Sequence, residues 1–257
     1  MRLRFLGTGT SFGVPQIGCG CAVCRSDDPR DKRTRVGALV ETDGGGRILI
    51  DTPPELRLQL TTARVDRLDA VLFTHDHADH THGIDDIRAF TARGGALDVY
   101  GSAATMAALQ QKFRYIFDPS VRALPGTYKP EGAPRVLEEG MPVHIAGVDV
   151  TPVRVTHGRV DVFAFRVGPL AYVTDAKTVP PASLDLLRGA RVLVINGLFF
   201  EPHPTHLSIP EAIALAREIG AERTYLTHLT HRFSHAELES RLPPDVRPAF
   251  DGLTVEI

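Results

Sequence analysis

The densest group of side chains that could do chemistry lies in VLFTHDHADHTHGIDDI, residues 71–87. Four histidines and two aspartates fall within eight residues, directly after an apolar run: His75, Asp76, His77, Asp79, His80 and His82. Imidazole nitrogens and carboxylate oxygens are ligands that Zn²⁺, Mn²⁺ and Fe²⁺ accept. Residues i and i+2 of an extended segment face the same way, so His75 and His77 can bind one ion. Asp79 and His80 follow where the chain should turn into a helix, and they can face a second ion. The spacing H-x-H-x-D-H therefore predicts a two-metal site.

Two ions need more ligands than this motif supplies, namely a further histidine for each ion and a carboxylate between them. His157 in RVTHGR, Asp175 in YVTDAK and His228 in YLTHLTH meet this need, and each follows a threonine at the end of a β-rich run. A histidine at a strand end is commonly a surface residue, and an aspartate there is commonly a helix cap. The recurrence of the pattern in all three segments favours the metal-ligand interpretation.

The three cysteines, Cys19, Cys21 and Cys24, all lie in IGCGCAVCRSDD. An odd number of cysteines in one short stretch is poorly suited to a disulfide framework and better suited to metal. Three thiolates are one ligand short of a tetrahedral zinc site, so the fourth ligand is most simply a histidine. His231, three residues beyond His228, and His235 are the two local options. Three thiols without a metal are the alternative.

Composition limits the function classes. The chain has 257 residues, of which 43% are hydrophobic and 23% charged, as in ordinary globular proteins. We expect a single hydrolase domain over residues 1–257. The net charge of −2 does not suggest a broad polynucleotide-binding surface. No apolar run approaches the roughly 20 residues that span a bilayer, and MRLRFLGTGTSFG develops no signal-peptide core. A cytoplasmic location without membrane contact is therefore expected.

The elements that must position these residues are short. Apolar β-rich runs such as RILIDT and VLVI alternate with helical patterns such as PELRLQLTTA and PEAIALAREIG. Six residues fall at the ends of predicted strands: Asp51, His75, His157, Asp175, Asn196 and His228. This mixture predicts an α/β fold in which two sheets pack face to face with helices outside, a four-layer αββα sandwich. Loops at one edge of such a sandwich can converge on a single site. The segment AFDGLTVEI predicts a terminal strand pair with its hairpin turn at Asp251-Gly252.

The sequence resembles the metallo-β-lactamase-fold hydrolase superfamily, whose signature T-H-x-H-x-D-H is matched by residues 74–80. The resemblance extends from FLGTGTSFG through ILIDTPPELRLQL to AFDGLTVEI, and it implies the αββα fold. It also implies that the Asp51 carboxylate contacts a metal-binding imidazole, without touching the metal itself, and so orients it. The ligand sets that it implies are His75, His77 and His157 for one ion, Asp79, His80 and His228 for the other, and Asp175 as the bridge.

A branch of this superfamily carries an early C-x-C-x-x-C that is closed by a histidine just after the last active-site ligand. The phosphoribosyl 1,2-cyclic phosphate phosphodiesterases belong to it, and residues 19–24 and 227–231 match their motifs. The resemblance implies a structural Zn²⁺ held by the three cysteines and His231. In this branch a histidine of the loop matching HPTH serves as general acid or base, and His206 matches its position better than His203 does.

The sequence thus predicts a metal-dependent phosphoric diester hydrolase that acts on a small phosphodiester, with a cyclic one favoured. Two divalent ions, Zn²⁺ or Mn²⁺, activate a hydroxide, and a third ion is the structural Zn²⁺. The expected catalytic residues are Asp79, as a metal ligand, and His206, which can exchange protons near neutrality. The expected partner is the small phosphodiester, with long nucleic acid disfavoured, and a homodimer is common among the relatives.

Rival functions remain. A tRNase Z-like RNA phosphodiesterase usually carries a protruding arm between the ligands that match His157 and Asp175, where only 17 residues lie here. A cofactor-biosynthesis protein resembling the pyrroloquinoline quinone factor has a similar cysteine site, but that group tends to have lost active-site ligands. Thioester and β-lactam hydrolysis is less favoured, because true β-lactamases usually lack the second histidine at the position of His80.

Overall fold

The computed structural model describes the backbone of residues 1–257 and the side chains of all of them except residues 93 and 94. The strands are β1 (Arg2–Gly7), β2 (Gly37–Glu41), β3 (Arg47–Ile50), β4 (Ala70–Leu72), β5 (Leu97–Gly101), β6 (Gly132–Val136), β7 (Val143–Ile145), β8 (Val148–His157), β9 (Val160–Val167), β10 (Leu170–Val173), β11 (Val192–Asn196), β12 (Arg223–Thr227), β13 (Val246–Pro248) and β14 (Thr254–Glu256). The α-helices are α1 (Ala22–Arg25), α2 (Leu56–Ala63), α3 (Ala78–Thr81), α4 (Arg88–Gly94), α5 (Ala103–Lys112), α6 (Arg114–Phe117), α7 (Pro181–Leu187), α8 (Ile209–Ile219) and α9 (His235–Arg241).

Within the described residues, the strands form two seven-stranded sheets, in the orders β14-β1-β2-β3-β4-β5-β6 and β13-β12-β11-β10-β9-β8-β7. Strands β3 to β6 run parallel in the first sheet, and β10 to β13 run parallel in the second. Strand β8 is antiparallel to β9, which is antiparallel to β10, so β8 and β10 point the same way. The carboxyl ends of these strands, where α/β sheets commonly bind ligands, carry the candidate residues.

Three hydrophobic clusters separate the layers of the fold. Ile48 of β3 and Val194 of β11 belong to the cluster between the two sheets. Leu49 packs instead with residues of α2 and α5 outside the first sheet. Ile195 packs with residues of α7 and α8 outside the second sheet. Because both faces of these strands are covered, residues 48–50 of β3 and residues 192–195 of β11 are apolar throughout. The four-layer αββα prediction is confirmed.

Helix α8 covers the predicted helical pattern PEAIALAREIG up to its glycine. The Ser208 side chain accepts from the backbone N–H of Glu211, whose carboxylate accepts in return from the Ser208 N–H, forming a capping box. Gly220 ends the helix at φ 74°, in the left-handed region that favours glycine. None of the helices in the described part of the chain is both long and apolar enough to cross a bilayer.

The predicted terminal hairpin is wrong. Strand β13 pairs parallel with β12 in the second sheet, whereas β14 pairs antiparallel with β1 in the first. The turn at Asp251-Gly252 carries the chain from one sheet to the other. Asp251 accepts hydrogen bonds from the Thr8 and Thr34 hydroxyl groups at 2.8 and 2.6 Å, which hold the turn beside the first sheet. The dipeptide signals a turn, but it does not specify which strands pair.

Candidate metal centre

The chain brings the candidate residues to one edge of the two sheets. His157 ends β8, while Asp51, Asp175 and His228 lie just beyond the ends of β3, β10 and β12. The last three have φ values of 61°, 56° and 57°, a left-handed conformation that is uncommon for residues other than glycine. Such backbone conformations persist only where the surrounding structure holds them, and they cluster at functional sites.

The residues proposed as active-site ligands form overlapping groups. Within each group, the atoms able to bind a metal all lie within 4.8 Å of one another: His75, His77 and His157; Asp79, His80 and His228; and His75, His80 and Asp175. The first two groups are the two ligand sets expected from the resemblance. The third group places Asp175 beside one histidine of each set, as a bridging carboxylate requires.

Three of these imidazoles are held through Nδ1. The contacts are His75 Nδ1 to the Thr74 hydroxyl at 3.0 Å, His80 Nδ1 to Asp51 Oδ2 at 2.7 Å, and His157 Nδ1 to the Thr205 carbonyl oxygen at 2.9 Å. An Nδ1–H that donates to oxygen leaves the lone pair on Nε2 available for a metal. Among the described side chains, the Nε2 atoms of His75, His80 and His228 are buried without a hydrogen-bond partner. A divalent cation would give these buried nitrogen atoms a partner.

Asp51 supports His80 from inside the protein. Its carboxylate is fully buried, and Oδ2 accepts from the Thr74 hydroxyl at 2.9 Å as well as from His80. Oδ1 accepts from the Thr74 backbone N–H at 2.9 Å. The backbone N–H of Thr52 donates to the His80 carbonyl at 2.7 Å, which fastens α3 to the loop after β3. These contacts place Asp51 where a residue that orients a ligand imidazole should lie.

Burial leaves several imidazoles in the neutral form that binds metal. It lowers the pKa of His75 well below its usual value, and it lowers the pKa of His228 to about 4. His80 differs, because its carboxylate neighbours outweigh burial. Burial acts to lower the pKa of His80, but Asp175 and Asp51 raise it to about 10. A cation that binds His80 Nε2 must therefore displace a proton.

The Asp175 carboxylate lies among the histidines. Oδ2 is 3.3 Å from His80 Nε2, and Oδ1 is 3.2 Å from His228 Nε2. Burial acts to raise the pKa of Asp175, but the protonated His80 imidazole and the hydrogen bond with His206 outweigh it and hold the pKa well below the usual range. The Thr174 hydroxyl donates to Oδ2 at 2.7 Å. An ionised carboxylate is thus held with both oxygens facing the centre.

The HPTH loop places His206, and not His203, against this carboxylate. His206 Nε2 lies 3.1 Å from Asp175 Oδ1, and its ring centroid is 4.6 Å from that of His157. His203 Nδ1 lies 3.2 Å from the Thr205 hydroxyl, and its ring meets Phe199 edge-on. Sequence reasoning missed Thr205, which contacts His206 Nδ1 through its hydroxyl at 2.9 Å. Its carbonyl contact with His157 has no signature in residue type.

The cysteine cluster has the dimensions of a zinc site. The distances from His231 Nδ1 to the sulfur atoms of Cys19, Cys21 and Cys24 are 3.4, 3.4 and 3.6 Å. Tetrahedral zinc, with its usual bond lengths to sulfur and nitrogen, separates these atoms by about 3.6 Å. Two hydrogen bonds lower the pKa of Cys21 to about 6: the larger effect comes from the Cys24 backbone N–H and the smaller from the His231 ring. A lowered pKa favours the thiolate, which is the form that binds metal.

His235, the other option for the fourth ligand, lies elsewhere. Its backbone N–H donates to Asp31 Oδ1 at 2.6 Å, and its ring packs edge-on against Phe250. His235 Nε2 is 3.4 Å from Glu239. The group of potential zinc ligands contains His231 instead.

A buried arginine, which sequence reasoning missed, fastens the same two loops. Arg33 is fully buried and pairs with Asp31 at 3.2 Å. Its guanidinium donates to the carbonyl oxygens of Phe233, at 3.1 Å, and Thr230. The loop that carries His228 and His231 is therefore held to the N-terminal segment by more than the cysteine cluster.

Comparison with known proteins agrees with this geometry. Residues 46–229 match the family described as the β-lactamase superfamily domain. The solved structure of a new diphosphatase from the PhnP family is 36% identical, with a TM-score of 0.90 over 100% of this chain and 97% of that one. Zinc-bound PqqB from Methylobacterium extorquens has the same fold at 19% identity, with a TM-score of 0.80 and full coverage of both chains.

An octanoyltransferase from Porphyromonas gingivalis is 40% identical over 255 residues. The match covers 98% of this chain and 51% of that protein, so the chain spans about half the length of this relative. The relative's name thus describes a protein of which one half has no counterpart here.

Proposed function

Because the chain belongs to the metallo-β-lactamase-fold hydrolase superfamily, whose fold implies divalent metal binding, we propose that it is a metal-dependent phosphodiesterase for a small substrate. The observation that carries the proposal is the likeness to the PhnP-family diphosphatase over practically the whole of both chains. That protein, by its name, cleaves a bond at phosphorus. The favoured substrate here is a cyclic phosphodiester.

The proposal assigns a role to each polar group. His75, His77 and His157 hold one divalent ion, Asp79, His80 and His228 hold the other, and Asp175 contacts both. When bound, the ions supply a nucleophile from water and stabilise charge on the attacking and leaving oxygens. His206 Nε2, beside Asp175 Oδ1 at 3.1 Å, donates the proton that a departing alkoxide needs. The Thr205 hydroxyl orients that ring.

A structural Zn²⁺ is the third ion of the proposal, held by Cys19, Cys21, Cys24 and His231. Its support is the match between the sulfur-to-nitrogen distances and tetrahedral zinc. His228 and His231 lie on one loop, so the zinc also fixes an active-site ligand relative to the N-terminal segment.

The rival functions have less support. Strands β9 and β10 take up residues 160–173, which leaves little chain for an RNA-binding arm between His157 and Asp175. All the candidate active-site ligands are present, which argues against a cofactor-biosynthesis protein of the kind that has lost them. The name of the P. gingivalis relative is the reason to test an octanoyl thioester as well.

The test is a substrate panel with protein loaded with Mn²⁺ or Zn²⁺. It includes bis(p-nitrophenyl) phosphate, a 2′,3′-cyclic nucleotide, a nucleoside diphosphate, a precursor tRNA and an octanoyl thioester. Turnover of the phosphodiesters is expected, and Asp175→Asn should abolish it. Asp76→Asn is the matched control, because Asp76 lies in the same motif but pairs with Lys112. Turnover of the thioester or the tRNA alone would refute the proposal.

A further inference from the structure

A cavity of about 270 Å³ adjoins the metal centre. Its lining includes His206 and His228 of the centre together with Phe12, Phe199 and Arg232. Because the cavity shares two histidines with the centre, a substrate whose phosphorus lies at the metals can extend into it. A slightly larger cavity, of about 310 Å³, has no histidine among its described lining residues, so size does not identify the functional pocket.

Phe12 is exposed where it meets this cavity. Its side chain has 66% of its surface accessible, on a segment that also lines the cavity through Thr10 and Gly13. Covering an exposed aromatic ring with a flat apolar group of a ligand removes apolar surface from water and so stabilises the complex. A ring stacked on Phe12 would be such a group.

Arg232 and Phe199 offer a second flat surface in the lining of the cavity. The guanidinium carbon of Arg232 lies 4.0 Å above the centroid of the Phe199 ring. Glu201 holds Arg232 Nη1 at 3.0 Å and neutralises its charge. Aromatic rings and guanidinium planes are the surfaces on which proteins stack nucleobases. Arg232 is the only permanently charged side chain among the described lining residues, and it is already paired. The cavity therefore suits an uncharged ring better than a second phosphate.

We propose that this cavity binds the nucleobase of a nucleotide-type substrate, with the base against Phe12. Gln16, which also lines the cavity, has an amide that can donate to and accept from a base edge. The proposal rests on the proposed function and narrows it from small phosphodiesters in general to those that carry a base. A base-free sugar phosphate leaves Phe12 in water.

Binding measurements test this without turnover. Isothermal titration calorimetry of the metal-loaded protein compares AMP with ribose 5-phosphate, which has the same phosphate and sugar but no base. We expect AMP to bind at least tenfold more tightly. Phe12→Ala should weaken AMP binding about tenfold to a hundredfold, the loss typical of one stacking side chain, and leave ribose 5-phosphate unchanged. Phe12→Tyr should restore AMP binding.

Ile17→Ala is the matched control, since Ile17 is 94% exposed nearby in the chain but does not line the cavity. It should leave both affinities unchanged. Equal affinities for the two ligands, or equal losses in Phe12→Ala, would overturn the base-binding proposal even if phosphodiesters are hydrolysed. Conversely, a base-dependent affinity without phosphodiester turnover would support the pocket and refute the proposed reaction.

Discussion

Replacing Asp51 by Asn should weaken the binding of one of the two proposed active-site ions far more than the binding of the other. In the wild-type protein the Thr74 N–H binds Oδ1, and His80 Nδ1–H binds Oδ2. An asparagine has only one acceptor oxygen. In either orientation of its amide, one of those two donors faces an NH₂ group. The contact of the Thr74 hydroxyl with Oδ2 can persist in the variant, because a hydroxyl group can accept a hydrogen bond from the asparagine NH₂ group.

The magnitude follows from the role of His80. A partner that orients a ligand imidazole typically accounts for about 10- to 100-fold in metal affinity, which corresponds to roughly 1.4–2.7 kcal/mol. His80 lies with Asp79 and His228, so the affinity for the ion that these three residues would hold should fall by this factor. His75 reaches Asp51 only through the Thr74 hydroxyl, so the ion held with His77 and His157 should change far less.

The assay is competition with a metal chelator at fixed pH, followed by elemental analysis of the separated protein. The zinc proposed for the cysteine cluster would serve as an internal standard. Asp76→Asn is the control variant, because the Asp76 carboxylate is 37% exposed and pairs with Lys112. The reasoning is refuted if both active-site ions weaken by the same factor, or if neither does.

Three further predictions follow from the same contacts. Cys21→Ser should lose the structural zinc and lower the urea midpoint of unfolding while the active-site ions stay; sulfur-bound zinc absent from fresh, reduced wild-type protein would contradict this. His206→Ala should lower kcat by about 10²–10⁴-fold for substrates with alkoxide leaving groups and much less for p-nitrophenyl esters, with unchanged metal content; equal losses would mean that His206 positions the phosphate instead. Because Asp175 and Asp51 outweigh burial and raise the pKa of His80 to about 10, this imidazole is protonated in metal-free protein at pH 8. Metal binding should then release the His80 proton, in addition to any proton lost by metal-bound water, and affinity should rise with pH up to about 10. Calorimetry in buffers of different ionisation enthalpy measures this release, and heats independent of buffer would rule it out.

Much of the fold could be predicted because its signals are local. Residues 48–50 and 192–195 are uniformly apolar since each strand is covered on both faces, and the pattern PEAIALAREIG predicts α8. The terminal strands could not be paired in this way. Strand β14 finds its partner β1 about 250 residues away, and a D-G turn carries no information about that distance.

The sequence by itself indicated the types of the candidate ligands and their spacing, because H-x-H-x-D-H and C-x-C-x-x-C each place their potential donor groups within six residues of the chain. Only the tertiary structure placed His206, and not His203, against Asp175, and placed His231, and not His235, beside the cysteines. These placements depend on loops that meet at the edge of the sheets. Asp175 and His206 are 31 positions apart in the chain, and Cys19 and His231 are 212 positions apart. The Thr205 carbonyl, the buried Arg33 and the cavity at Phe12 belong to the tertiary structure for the same reason. Each acts through where the fold places it, and its residue type alone does not reveal that position.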